Sequence, residues 1–130
     1  MATTTPKKKV KKIRRNISHA IAHITCTFNN TIITFADLDG ASFSWASAGS
    51  SGFKGTRKST PYAAQVASEN ASSRAKSAGV EKVDVYIKGV GVGRDQALRG
   101  LLSQDFDVAS ITDLTSRPHG GVRVKKIRKP

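Results

Sequence analysis

All of the chain's net charge lies at its two ends, and this decides where a core can form. Residues 1–16 hold seven basic residues and no acid, residues 114–130 hold six and no acid, and the stretch between them balances nine of each. The formal net charge of +13 therefore belongs wholly to the ends of the 130-residue chain. Runs of like charge repel one another and stay unfolded until a counter-charge arrives. The sequence thus divides into a basic N-terminal arm (1–16), one neutral body (17–113) and a basic C-terminal arm (114–130). Both arms are expected to be disordered until bound. A chain of this length, folded as one domain, buries roughly two-thirds of its unfolded surface.

Within the body, the stretch from Ile17 to Phe28 alternates, placing Ala20, Ala22, Ile24, Cys26 and Phe28 on one face of a first strand. Asn29-Asn30 signals a turn, "TIITFADL" a second strand, and Asp39-Gly40 a hairpin into a third, "ASFSWASA", with Phe43 and Trp45 sharing a face. A glycine-rich basic loop, "GSSGFKGTRKSTP", then leads to a helix with Thr60 as cap and Pro61 in its first position. Ala63, Ala67, Ala71, Ala75 and Ala78 form a small-residue stripe on that helix, which stops at Gly79. The fourth strand, "VEKVDVYIKG", puts Val83, Val85 and Ile87 on one face. A second glycine-rich turn enters a shorter helix whose core candidates are Ala97, Leu98, Leu101 and Leu102, and "FDVASITDL" is the last strand. The order is βββαβαβ. Helical crossovers make the first, fourth and fifth strands parallel if they share a sheet.

The charge pattern points to a polyanionic partner. One cysteine excludes an internal disulfide and fits a reducing compartment. No apolar run approaches the roughly 18 residues of a membrane span, and the basic start lacks the apolar stretch of a signal peptide. "KKKVKKIRR" also fits a nuclear address, though such patches are common.

Three features invite an enzymatic reading, and each falls short. "GFKGTRKS" approaches a phosphate-binding loop, but Arg57 stands where the glycine before the lysine is required. Gly89, Gly91 and Gly93 precede a helix as in dinucleotide sites, but Gln96 replaces the last glycine. Such glycines serve equally a tight turn or the approach of backbone N–H groups to an anion at a helix start, an RNA phosphate included. Cys26 lies on the apolar face, while His19 and His23, four apart on one strand, stand about 13 Å from each other. No metal, cofactor or catalytic group is expected. Asp37, Asp39, Asp84 and Asp113 show no paired spacing; their clustering in space would revive a metal-dependent nuclease.

The stretches "GFKGTRKSTPYAAQVASE", "KGVGVGRDQALRGL" and "ITDLTSRPHGGVRVKK" occur in this order. Over about residues 10–130 the chain resembles the family of small-subunit ribosomal protein eleven, in its bacterial or organellar form. The resemblance implies a mixed five-stranded sheet of ribonuclease-H-like topology, with two helices and without that fold's catalytic acids. It implies a structural constituent of the small ribosomal subunit that binds the central-domain and 3′-end regions of its rRNA. It further implies a place on the platform near the mRNA exit path, with ribosomal proteins seven and eighteen as neighbours. The location implied is a cytoplasmic or organellar ribosome, with no membrane contact and no homo-oligomer.

Carried over by position, the family's basic loop falls on Gly52, Phe53, Lys54, Gly55, Arg57 and Lys58, and its glycine-rich helix start on Gly89, Gly91, Gly93 and Arg94. The tail motif falls on Thr115, Pro118, His119, Gly121 and Arg123. Together with the charge pattern, this makes Lys7, Lys8, Lys9, Lys11, Lys12, Arg14 and Arg15 the expected RNA contacts of the first arm. In the body they are Lys54, Arg57, Lys58, Gly91, Gly93 and Arg94. In the second arm they are Arg117, His119, Gly120, Gly121, Arg123, Lys125, Lys126, Arg128 and Lys129. The chain departs from the family's usual pattern at Val90 and Val92, where prolines are common. It departs again at Gly120, Gly121 and Val122, where Asn-Gly followed by Cys or Gly is common, and at Val124, often proline. A nucleoid-type DNA-binding protein would share the charge, but neither helix is basic enough to read a groove.

Overall fold

The computed structural model describes residues 17–127. The elements follow the expected order: β1 (His19–Cys26), β2 (Thr31–Ala36), β3 (Ser42–Ser47), a short 3-10 turn (Gly55–Ser59), α1 (Pro61–Ser77), β4 (Lys82–Gly89), α2 (Arg94–Leu102) and β5 (Asp107–Asp113). The five strands form one mixed sheet in the ribonuclease-H-like order β3-β2-β1-β4-β5. β1 pairs antiparallel with β2 and parallel with β4, and β4 pairs parallel with β5. β3 is antiparallel to β2, so β2 alone runs against the other four.

Both helical crossovers step across the sheet in the same direction. Right-handed connections of that kind place both helices on one face, and α1 and α2 pack on each other there. The core lies between them and the sheet. Ala20, Ala22, Ile24, Ile33, Phe35, Val83, Val85 and Leu101 are all buried. The expected alanine stripe of α1 is buried along its whole length, and Ser68 and Ser72 lie beside it. Small side chains bring the helix close, and two serine hydroxyls tie it down, one to the sheet and one to α2. Ser44 Oγ donates to the Ala71 carbonyl at 3.0 Å, and Ser68 Oγ donates to the Ala97 carbonyl. Gly100 faces Ser68 at the same crossing, where an added Cβ would lie 2.8 Å from the Gln65 carbonyl oxygen.

Three apolar assignments change. Phe28, placed on the buried face of the first strand, is 72 % exposed, because the strand ends at Cys26. The Thr27 hydroxyl accepts from the backbone N–H groups of Asn29 and Asn30 and turns the chain before Phe28 can join the alternation. Phe43 and Trp45 separate: the β2–β3 register shifts between Phe35 and Ala36, Phe43 packs against the core beside Phe35, and Trp45 stays on the outer face. Leu102 faces solvent at the end of α2, leaving Ala97 and Leu101 as that helix's buried anchors.

Candidate nucleic-acid interface

Because β1, β3, β4 and β5 are mutually parallel, their C-terminal ends share one edge of the sheet. The basic loop after β3, the glycine-rich loop after β4 and the start of the C-terminal arm after β5 all leave from that edge. Both helices begin there. The described chain begins at the opposite edge, where the Ile17 N–H donates to the Ala78 carbonyl at 3.3 Å. The sheet topology thus gathers three of the expected contact segments at one pole.

The first loop is a compact basic shelf. Its backbone closes through Phe53 N–H to the Ala48 carbonyl, and Phe53 packs edge-on against Tyr62 with ring centroids 5.7 Å apart. Lys54 and Arg57 are exposed and Lys58 half-buried, its stem passing over Gly49. Among the described residues no carboxylate pairs with any of these three cations. Thr60 caps α1 as expected, its hydroxyl accepting from Ala63 N–H at 3.3 Å.

The second loop is built differently. Gly91 and Gly93 are buried. A Cβ on Gly91 would lie 2.3 Å from the Thr27 carbonyl oxygen, and one on Gly93 would lie 2.7 Å from Ala64 Cβ. Close packing against the β1–β2 turn and α1 therefore requires glycine at both positions. Gly93 provides no side-chain cap for α2, whose first turn carries the acid Asp95.

Arg94 also has a partner that its place in a basic motif does not announce. Its guanidinium donates to the Gly89 carbonyl at 3.0 Å and to Asp113 Oδ2 at 2.8 Å. Thr115 closes the same cluster: its hydroxyl donates to Asp113 Oδ1 at 2.6 Å and accepts from Gly89 N–H at 3.2 Å. The Thr115 hydrogen bond, followed by Arg94, holds the Asp113 carboxyl well below the usual carboxylate range, so it is ionised at neutral pH. The Leu114 N–H adds a bond to the Ile87 carbonyl at 2.8 Å. The root of the C-terminal arm is thereby fastened to the ends of β4 and β5.

Beyond this root, residues 116–127 form no helix or strand and are exposed. Arg117, His119, Arg123, Lys125 and Lys126 project from this part. Gly120 has φ +74, a left-handed conformation that asparagine also tolerates. Lys7, Lys8, Lys9, Lys11, Lys12, Arg14, Arg15, Arg128 and Lys129 lie outside the described residues.

The carboxylates do not assemble. The Asp37 carboxylate caps the hairpin turn by accepting from Asp39 and Ala41 N–H, Asp84 accepts from His19 and Ser110, and Asp113 belongs to the arm root. Among the described residues no three His, Cys, Asp or Glu side chains come within reach of one metal ion. Burial pushes the Cys26 thiol up, with the Thr31 hydroxyl pulling weakly the other way. Cys26 should resist thiol-directed reagents in the native protein at pH 8 and react stoichiometrically within minutes in 6 M guanidinium, as a colorimetric thiol assay would read. Rapid native labelling would mean that β1 opens at its end.

Sequence comparison places the chain among known relatives. A family profile described as "Ribosomal protein S11" matches residues 20–129. The chain is 50 % identical, over 99 % of both chains, to a protein of Phaeodactylum tricornutum named small ribosomal subunit protein uS11c. It is 49 % identical, again over 99 % of both, to small ribosomal subunit protein uS11 of Thiobacillus denitrificans. It is 52 % identical to that of Chromohalobacter salexigens, over 95 % of this chain and 97 % of that one. With its five-stranded sheet, its basic pole and a match over nearly its full length, the chain belongs to the ribosomal protein S11 family, whose members are structural ribosomal proteins and not enzymes.

Proposed function

We propose that the protein is a structural constituent of the small ribosomal subunit, in the cytoplasm or in an organelle, and that it grips small-subunit rRNA at the basic pole of its sheet. The observation that carries this reading is the convergence of the unpaired shelf, Lys54, Arg57 and Lys58, with the fastened root of a cationic arm on one sheet edge. Phosphate contacts made by rigid elements set register, whereas those made by a flexible arm add affinity with little placement. The shelf therefore positions the RNA and the arms clamp it. The family resemblance supports the central-domain and 3′-end regions as the RNA engaged, on the platform near the mRNA exit path. It supports ribosomal proteins seven and eighteen as neighbours.

Arg94 acts in this scheme mainly by aiming the arm, since both of its terminal nitrogens already donate, one to Gly89 and one to Asp113. Gly91 and Gly93 act by letting the loop pack. The test is a competition between a small-subunit rRNA fragment and scrambled RNA of equal length. Changing Arg57 and Lys58 together to Gln should reduce the preference for the rRNA fragment about tenfold, in line with roughly 1.5 kcal/mol from the charge-assisted bonds lost. Changing Lys125 and Lys126 to Gln should weaken both RNAs by the same factor. Equal loss of specificity in the two variants would refute the division between shelf and arm.

A further inference from the structure

The face of the sheet opposite the helices is uncovered among the described residues, and it carries aromatic rings. Trp45, Thr34, His23, Tyr86 and Thr112 run across its middle, one from each strand and each in register with the next. Trp45 is 55 % exposed. His23 and Tyr86 are stacked on each other, with centroids 5.7 Å and planes 21° apart, so the two rings brace one another on this face. Trp45 is two strands away from His23, roughly 10 Å at the usual strand spacing. The next row toward the basic pole is Ser47, Ile32, Thr25 and Lys88. Neither row contains a carboxylate. Asp84, one row further from the pole, is engaged by His19 at 2.9 Å and Ser110 at 3.0 Å.

Resting on the rRNA-binding reading, we infer that this face is a second RNA surface, on which unpaired bases stack. Sequence-tolerant recognition of single-stranded RNA combines exposed aromatic planes with neighbouring cations and hydroxyls. The two rows supply these in Trp45 and the stacked His23–Tyr86 pair, in Lys88, and in Thr25, Thr34, Ser47 and Thr112. Charge complementarity decides the occupant. The rows are free of acid and run toward the edge from which the loop of the unpaired Lys54, Arg57 and Lys58 leaves, so a strand held by its phosphates at the pole can lay its next nucleotides across the sheet. A protein interface also favours aromatic rings, but its centre is depleted in lysine and serine, and these rows carry Lys88 and Ser47. Here Ile32 is the exposed large aliphatic side chain of the two rows. The helix-free face thus has a use distinct from the pole: the pole takes folded RNA by its backbone, and the face takes a splayed single strand by its bases.

Trp45 is the chain's one tryptophan, so its emission reports on this face alone. With the full chain, a 12-nucleotide oligouridylate should quench that emission by more than half. Trp45→Leu should weaken binding of the labelled oligonucleotide about tenfold by anisotropy, in line with the usual contribution of one stacked base. Trp45→Phe, which keeps a ring, should stay within threefold of the parent. Tyr86→Leu repeats the test at the stacked pair, and unchanged far-ultraviolet circular dichroism certifies both leucine variants as folded. Binding of an RNA duplex of equal length should move less than twofold in all of them. If the oligonucleotide binds with no change in Trp45 emission and the leucine variants match the parent, the inference is overturned. The rRNA reading would then stand, with the face left to a protein neighbour. If the parent retains no rRNA fragment at all, both the functional reading and this inference fail.

Discussion

Gly89→Ala should come close to unfolding the protein, with a loss of about 3–5 kcal/mol in urea denaturation from the combined backbone strain and overpacking. Gly89 ends β4 at φ +107, a conformation that side chains rarely adopt, and an added Cβ would fall 1.8 Å from the Cys26 carbonyl oxygen. Nothing there is the free end of a flexible side chain. The carbonyl belongs to the end of β1, a central strand, and it also accepts from Gly91 N–H at 3.4 Å. Relief requires β1 and β4 to part at the edge where the basic pole is built. For a domain whose total stability is about 5–15 kcal/mol, little would remain. At about 4–8 °C per kcal/mol the melting temperature should fall by roughly 20 °C. Gly40→Ala and Gly52→Ala are the controls. Both glycines have positive φ, at +96 each, but neither has a neighbour within 4 Å of an added Cβ. They should lose only about 1 kcal/mol each, the strain alone. Similar losses at all three positions would mean that the Gly89 contact is relieved by a small shift of the strand.

The same glycine shows where sequence reading stops. Period-two alternation marked β1 and β4, because burying one face of a strand writes itself locally. The Asp39-Gly40 turn and the Thr60-Pro61 helix start were legible for the same reason, since each rests on bonds spanning only a few residues. Gly89, Gly91 and Gly93 were visible as a motif, but their reason was not. What forbids a side chain at Gly91 is the carbonyl of Thr27, a neighbour brought in by the parallel pairing of β1 with β4. Arg94 counted as one more basic residue until Asp113 appeared beside it. Phe43 and Trp45 read as equivalent because nothing in the local alternation of β3 announces the register shift that leaves Phe43 without a partner between Ser42 and Ser44. The open aromatic row belongs to the same class: its five members come from five strands, and only the sheet order makes them adjacent.

Removing both arms, residues 1–14 and 118–130, should leave the melting temperature within about 2 °C of the parent while affinity for an rRNA fragment falls at least 100-fold at physiological salt, the scale expected when several phosphate contacts are lost. The cut points matter. On the N-terminal side the first bonds of the body come from Ile17 to Ala78 and from the Ser18 carbonyl to Glu81 and Lys82 N–H, and all of these survive. On the C-terminal side the truncated chain keeps Leu114 and Thr115, which fasten the root to Ile87, Gly89 and Asp113. Cutting before Leu114 instead should lower the midpoint measurably, since Asp113 and Arg94 would lose their third partner. Salt separates the arms' contribution from the shelf's. If about six phosphates are neutralised, the log–log slope of affinity against salt should lie near −4 to −5 for the full chain, at roughly −0.7 to −0.9 per contact. The truncated chain should retain a slope of about −2, the share left to Lys54, Arg57 and Lys58 on the same scale. A full-chain slope near −1 would exclude clamping by the arms, whatever the affinity. A midpoint that drops by 10 °C or more on truncation would show instead that the cationic segments pack on the body, so that one sequence block serves stability and binding together.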